Sequence, residues 1–392
     1  MLAYSTVRQC MLKHMVRLGI VGLGNMGTGH VAGMPKIKRC ELTAVCDVLP
    51  SKLERYKDFR TFTSSEEMIR SGEIDAILIA TPHYFHTTIG IDALDNGLHV
   101  LTEKPISVHK ADCERLIAAH TNKNLVFAAM FNQRTNPHFQ RIRSIVQSGE
   151  LGEIRRTMCV ATDWFRSEAY YASGGWRATW AGEGGGVLLN QCPHTLDLFQ
   201  WICGMPSKVR AFCKFGKFHN IEVEDDVTAY LEYPNGATGV FIATTGEAPG
   251  TNRLEIAGDR GKLVFEHGKI TFDRTEVSVE EFNRTTPGAF STPKLWHCEI
   301  PENGHGNQHL GILQNFVDVI LDGGELIAPA EEGIHSVEFA NAMLYSTFTD
   351  SEVSVPLDGA AYEVALKERI ATSRFVKEVR VDVDVDLSKS FR

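Results

Sequence analysis

Residues 16–27, Val-Arg-Leu-Gly-Ile-Val-Gly-Leu-Gly-Asn-Met-Gly, constrain the fold more than any other stretch of the chain. They read as a buried strand, a glycine-rich turn and the start of a helix. Gly22, Gly24 and Gly27 fit G-x-G-x-x-G, and Asp47 follows at the end of a second apolar run, Leu42-Thr-Ala-Val-Cys-Asp. Each part has a physical reason: the first glycine for a tight turn, the second for close approach of a pyrophosphate, the third for helix–sheet packing. Asn25 and Met26 then fall at the helix N-terminus, where free N–H groups and the positive dipole end favour phosphate. Glycines alone also mark ordinary turns. The strand before them and the acid after them turn the motif into a dinucleotide fingerprint.

Asp47 bears on which dinucleotide binds. A carboxylate there accepts from the adenosine ribose hydroxyls and repels a 2′-phosphate. NAD is favoured over NADP, although Lys52 and Arg55 lie just downstream. The alternative for Asp47 is a turn or helix-capping residue.

At 392 residues the chain has room for two domains, each with its own core. Its net charge of −9 argues against nucleic acid as a partner and suits a small-metabolite enzyme. The nine cysteines form no C-x-x-C pair, which fits a reduced, cytoplasmic setting. The fifteen histidines show no zinc-ligand spacing, so no metal is expected. No stretch reaches the ~20 apolar residues of a membrane span, so no membrane partner is expected. Residues 1–14 lack a compact apolar segment and read as a loose extension rather than a secretory signal.

Between residues 15 and 135, short apolar runs alternate with helical patterns. Strands are predicted at Arg17–Val21, Leu42–Cys46, Ala76–Ala80, His99–Thr102 and Val126–Phe131. Such alternation specifies a doubly wound parallel sheet, a Rossmann-type domain whose ligand sits at the carboxyl ends of the strands. Four segments gather there: Gly22–Gly27, Ala80-Thr81-Pro82-His83, Thr102-Glu103-Lys104-Pro105 and Phe131-Asn132-Gln-Arg134. Residues 136–375 change character. After an amphipathic helix at Pro137–Gly149 come alternating runs from Arg155 to Glu266, separated by turns such as Pro234-Asn-Gly236. They predict a mostly antiparallel sheet. Helices are expected at about Cys192–Cys203 and His309–Asp322, and residues 276–308 look loop-like. The tail, 376–392, alternates valine with charge and reads as either an edge strand or a solvated end.

Two further groups carry chemistry. Lys104 ends a strand beside the nucleotide, where an ammonium can stabilise a developing alkoxide; alone, a surface lysine before a helix-starting proline would explain it. Gly184-Gly-Gly-Val-Leu-Leu-Asn190-Gln-Cys-Pro-His194 sets a glycine cluster before a helix whose first turn holds Pro193 and His194. The dipole there disfavours imidazolium, leaving the neutral form a general base needs; a capping or packing histidine is the alternative. Residues 164–180 are dense in aromatics. Trp164, Trp176 and Arg177 are candidates for a sugar ring, or for core packing, and His305 and His309 are further candidates or helix caps.

Together these motifs resemble the Gfo/Idh/MocA oxidoreductases. The resemblance rests on Gly22–Gly27, Ala80-Thr-Pro-His83 with His86, Glu103-Lys-Pro105 and Gly184–His194, and it covers nearly the whole chain after Met15. It implies a Rossmann domain followed by a domain built on a large open sheet, one face of which supports homo-oligomers, dimers or tetramers. It implies that Lys104 and His194 are catalytic and that the Lys104–Pro105 bond is cis. Thr81, Pro82, His83, His86, Glu103, Asn132 and Arg134 are expected at the cofactor. Two positions depart from the pattern: Asn190 stands where relatives carry Asp, and His83 where they carry Asn. Asparagine can orient an imidazole but cannot stabilise its charge.

The expected activity is NAD-dependent oxidation of a secondary hydroxyl of a sugar, glycoside or polyol. An alternative keeps the site but cleaves glycosides by transient oxidation with retained NAD. A non-catalytic NAD- or sugar-sensing regulator is a third class, against which the presence of both Lys104 and His194 argues.

Overall fold

The computed structural model describes residues 15–302 and 304–379. The expected extension at 1–14 and the part of the tail beyond 379 lie outside the described residues. Contacts divide the described chain into two units, 15–132 with 307–334, and 133–306 with 335–379. A single boundary at 135 places 307–334 in the second domain, whereas its contacts group it with the first.

In the first unit, six strands among the described residues form one parallel sheet: β1 (Val16–Val21), β2 (Cys40–Cys46), β3 (Arg60–Phe62), β4 (Ala76–Ile79), β5 (His99–Thr102) and β6 (Phe127–Ala129). Their order is β3-β2-β1-β4-β5-β6, which reverses direction between β1 and β4. Leu18, Ile20 and all of Ala76–Ile79 have no exposed surface. Such continuous apolar runs are what strands covered on both faces require. Val21 pairs with Ile79, Ile79 with Thr102 and Thr102 with Ala129, so the carboxyl ends of β1, β4, β5 and β6 line up. The Gln308–Asp322 helix belongs to this unit. It buries Ile312, Leu313, Phe316 and Val317, and Arg39 pairs with its Asp318 and Asp322 at 2.7 and 2.6 Å.

The second unit holds a nine-stranded sheet. Its strands are β7 (Ile154–Ala161), β8 (Lys208–Phe215), β9 (Glu224–Glu232), β10 (Thr238–Thr244), β11 (Asn252–Gly258), β12 (Gly261–Glu266), β13 (Lys269–Thr275), β14 (Leu295–Ile300) and β15 (Val353–Ser354). They run in the order β14-β13-β12-β11-β7-β10-β9-β8-β15. The β7–β10 pair is parallel and every other pair antiparallel, as expected of a mostly antiparallel sheet. Helices cover one face. Phe199, on the Pro193–Cys203 helix, packs between Phe241 of β10 and Phe339 of the Gly333–Thr349 helix at about 6 Å ring separations. The opposite face carries Phe212 and Tyr230, which are exposed.

The loop expected over 276–308 is corrected. It contains a Val279–Thr285 helix, capped by Ser278 accepting from the Glu281 N–H, and the edge strand β14. The helix buries no side chain and most of β14 is exposed, so neither carries an apolar period for sequence reasoning to detect. Among the described residues, no helix is long and apolar enough to cross a membrane.

Candidate functional site

The glycine motif of the first unit does what its spacing demands. Gly22 has φ +90°, and a Cβ there would lie 2.6 Å from the Ala80 carbonyl oxygen. A Cβ on Gly27 would lie 1.8 Å from the Gly22 oxygen. Around Gly24 there is open space: a Cβ at that position would meet nothing within 4 Å. Gly24 is the N-cap of the Asn25–Gly33 helix and supplies no side-chain cap, so the helix start faces that space uncapped. Asn25 is exposed and Met26 half-buried beside it. This is the cradle a pyrophosphate needs.

Asp47 is buried at the end of β2. Its Oδ2 accepts from the Leu23 N–H at 2.8 Å and its Oδ1 from the Leu49 N–H at 3.0 Å, while Lys52 Nζ lies 3.1 Å away. The carboxylate therefore also serves as a turn residue, the alternative that its sequence position allows. It pins the glycine loop to the end of β2.

Between the ends of β4 and β5, His86 is fully enclosed. Its two ring nitrogens lie 2.8 Å from the carbonyl oxygens of Thr81 and Pro105, so it braces the two loops. Burial pushes its pKa down. The Thr81 hydroxyl is buried with no hydrogen-bond partner among the described residues. Pro82 and the buried His83 lead into the Tyr84–Asp95 helix, with His83 at the N-cap position. The Lys104–Pro105 peptide is cis, and Lys104 is half-buried, its N–H donating to Glu103 Oε2 at 3.2 Å.

Glu103 anchors a cluster that the sequence does not disclose. Its Oε1 accepts from His30 Nε2 at 2.7 Å, and the His30 ring meets His309 edge-on at 5.7 Å. Burial would push the Glu103 carboxyl up, but the hydrogen bond from His30 and the fields of His30, His309 and Lys104 outweigh it and bring it to about 2. His309, a candidate for substrate, is thus placed beside Glu103, and burial lowers its pKa. Asn132 is buried and donates to Gln308 Oε1 at 2.7 Å.

Arg134, expected at the cofactor, lies two residues after Asn132, just beyond the end of β6. It belongs to the second unit and is 1% exposed, its guanidinium bidentate to Asp197 at 2.6 and 2.8 Å and 5.2 Å from the Trp201 ring. A guanidinium so enclosed and paired anchors the Pro193–Cys203 helix. On that helix His194 occupies the first turn and is buried, while the N-cap Cys192 makes no side-chain cap.

Around the turn preceding it, Asn190 donates to Glu183 and accepts from the Tyr170 hydroxyl at 3.1 Å. Tyr170 in turn accepts from Arg177 at 2.6 Å. Arg177 lies over the rings of Tyr170 and Trp176 at 4.4 and 4.8 Å, and Arg166 lies 5.4 Å from the Trp164 ring. Trp164 Nε1, Arg177 Nε and Gln191 Oε1 are buried without a partner among the described residues. Such atoms ask for an explanation, and polar ligand groups are one. His305 is exposed in the same unit. Tyr170 falls in the aromatic-dense stretch noted in the sequence, whereas Glu183 and Gln191 carry no signal there as site residues, because only the folded chain brings them to Tyr170 and Asn190.

The first unit's strand order, uncapped helix start, open space at Gly24 and buried acid after β2 define an NAD-binding Rossmann oxidoreductase. The profile of the oxidoreductase family with an NAD-binding Rossmann fold matches residues 16–131, and that of the GFO/IDH/MocA C-terminal domain matches residues 139–264. The chain belongs to the Gfo/Idh/MocA family. Among similar proteins, levoglucosan dehydrogenase of Pseudarthrobacter phenanthrenivorans is 24% identical over 388 residues, covering 87% of this chain and 98% of that protein. Myo-inositol 2-dehydrogenase of Thermotoga maritima is 24% identical over 268 residues, covering 65% and 77%. The crystal structure of the WlbA dehydrogenase from Bordetella pertussis, in complex with NADH and UDP-GlcNAcA, matches with a TM-score of 0.74 at 25% identity, covering 88% of this chain and all of that one.

Proposed function

We propose that the protein oxidises a secondary hydroxyl of a sugar, glycoside or polyol, with Lys104 and His194 acting at the reacting hydroxyl. The observation that carries this reading is Lys104 at the carboxyl end of β5, in line with the strand end that bears the glycine cradle. The levoglucosan and myo-inositol dehydrogenases named above act on a sugar and a polyol, and the WlbA dehydrogenase was crystallised with a nucleotide sugar, which supports the substrate assignment. Bound NAD supplies the hydride acceptor at nicotinamide C4. Gly22, Gly24, Gly27 and the Asn25–Gly33 helix start hold its pyrophosphate, and Asp47 its adenosine ribose. His194 takes the hydroxyl proton. The Lys104 ammonium stabilises the developing alkoxide. Trp164, Trp176 and Arg177 offer aromatic faces and donors to a ring with apolar C–H faces and hydroxyl edges.

The test mixes protein, NAD and a panel of pyranoses, glycosides and inositols, following absorbance at 340 nm beside product analysis. NADH should accumulate with one substrate class, and Lys104→Ala should abolish turnover while NAD still binds. Unchanged turnover in that variant would remove Lys104 from the mechanism. Product without net NADH would fit glycoside cleavage with retained NAD.

A further inference from the structure

Glu183 is a buried carboxylate that the mechanism above does not use. It is 1% exposed, in the loop between Trp180 and the glycine run. Its Oε2 accepts from the Ala178 N–H at 2.6 Å, and its Oε1 takes the side-chain amide of Asn190. An ionised carboxylate has acceptors only, so it fixes the Asn190 amide with its NH2 toward Glu183 and its oxygen away. That oxygen accepts from the Tyr170 hydroxyl and from Gln191 Nε2, both at 3.1 Å. With the Tyr170 proton committed to Asn190, the phenol oxygen is left to accept from Arg177 at 2.6 Å and from Gln191 Nε2 at 3.1 Å. Every hydrogen bond along the path runs one way, from the guanidinium through Tyr170 and Asn190 to the carboxylate. Among the described residues Arg177 makes no direct ion pair, and the chain links it to the Glu183 carboxylate through two neutral side chains.

We propose that Glu183 is a positioning residue: it sets the direction of this chain, orients Asn190 at the entry to the His194 helix and, through Tyr170, aims Arg177 at substrate. The inference rests on the reading of the second unit as the substrate-binding one. The Arg177–Ala178 peptide is held from both sides, its carbonyl accepting from Lys377 Nζ at 2.8 Å and its N–H donating to Glu183 Oε2 at 2.6 Å. Complete loss of the Glu183 side-chain oxygens would loosen that peptide too, so the test keeps an oxygen at position 183 for the Ala178 N–H.

Relocating the charge tests it. Glu183→Gln places an amide donor against the Asn190 amide or the Ala178 N–H, and the chain loses its direction. Asn190→Asp alone sets two carboxylates against each other. In the double variant E183Q/N190D, the new Gln oxygen accepts from Ala178, its NH2 donates to the new carboxylate, and Tyr170 again finds an acceptor. Each single variant should lower the melting temperature and raise substrate KM about tenfold, with kcat changed less and NAD affinity unchanged. The double variant should recover most of both losses. A double variant no better than the worse single one, or Glu183→Gln with wild-type KM, would overturn the proposal. Should the wild type turn over no sugar, glycoside or polyol, the proposed function fails, and the melting cycle alone then decides whether the hydrogen-bond chain exists.

Discussion

Gly24 and Gly27 stand three residues apart in one motif and are glycines for different reasons. At Gly27 a side chain would collide with the Gly22 carbonyl oxygen, whereas at Gly24 it would meet nothing within the protein. Gly27→Ala should therefore destabilise the fold by about 3 kcal/mol or more, through forced overpacking of backbone on backbone. Gly24→Ala should melt as the wild type does but bind NAD at least about tenfold more weakly, because the methyl group fills the space the pyrophosphate enters. Thermal melts and NAD titrations of the two variants check both halves. This residue-scale contrast also shows what a sequence can disclose. The glycine motif, Asp47 and Lys104 are legible because their chemistry is tied to a strand end and a fixed spacing. The second duty of Asp47, holding the Leu23 and Leu49 N–H groups, is only an alternative in the sequence because the capped groups lie on separate loops. Glu183 and Tyr170 are not legible as a pair with Asn190 at all, since irregular loop backbone brings them together and no periodicity encodes that. The pairing of Arg134 with Asp197 is hidden for a related reason: the two stand far apart in sequence, and only the folded chain brings them together.

Elements are legible in proportion to their amphipathic or buried pattern. The parallel strands stand out because burial on both faces makes them continuous apolar runs. β3 escapes notice because it is three largely exposed residues. The Gly333–Thr349 helix escapes it because Val337 and nearly every residue from Phe339 to Leu344 is buried, which erases a one-sided stripe. The glycine run before His194 reads as a helix entry, but what holds it does not show in the sequence. Glu224, at the start of β9, accepts from the Gly186 and Leu188 N–H groups at 2.8 and 3.0 Å through one oxygen, and its backbone oxygen accepts from Val187 at 2.9 Å. Its other oxygen is buried without a partner among the described residues. Burial outweighs the loop's N–H donors and, with the nearby charge of Glu183, lifts this carboxyl to about 7. The folded chain thus keeps a proton that the unfolded chain, with a Glu pKa of about 4.3, has released. Its contribution is full below about pH 4 and is lost as pH rises through about 7. Glu224→Gln keeps the accepting oxygen and removes the charge. It should match the wild type near pH 4 and exceed it at pH 8 by on the order of 2 kcal/mol, or about 4–8 °C. Melting curves across that range check it, and a gain that is equal at both pH values would mean that ionisation of Glu224 is not the cause.

At the scale of the whole molecule, the large sheet of the second unit has one face packed under helices and one that the described residues leave partly exposed. Its helix-covered face is closed by Phe199, Phe241 and Phe339. On the other face the register aligns Arg210, Tyr230, Val240, Met158 and Glu255 in one cross-strand row. The row beside it is Phe212, Thr228, Ile242, Val160 and Arg253. Phe212 is 53% exposed and Tyr230 43%, with the four central aliphatic and methionine side chains half-buried. The rows are thus largely apolar in the middle, with charge at three of their four ends, Arg210, Glu255 and Arg253, and Arg253 bridges Glu255 and Glu266 at 2.6 Å. A contiguous apolar patch rimmed by polar residues marks an interaction surface. A flat sheet face offers its own copy a self-complementary partner across a two-fold axis. We therefore expect a dimer or tetramer formed through this face, burying about 800 Å² or more per chain. Ile242→Glu puts an unpaired charge at the centre of the stripe, where desolvation without a partner is most costly. Light scattering on the eluting protein should give the wild type as an even-numbered oligomer and the variant at a lower mass. NAD affinity per chain should be unchanged, because the cradle belongs to the other unit. A wild type that elutes as a monomer at micromolar concentration would mean that this face is covered by something other than a second copy of the chain.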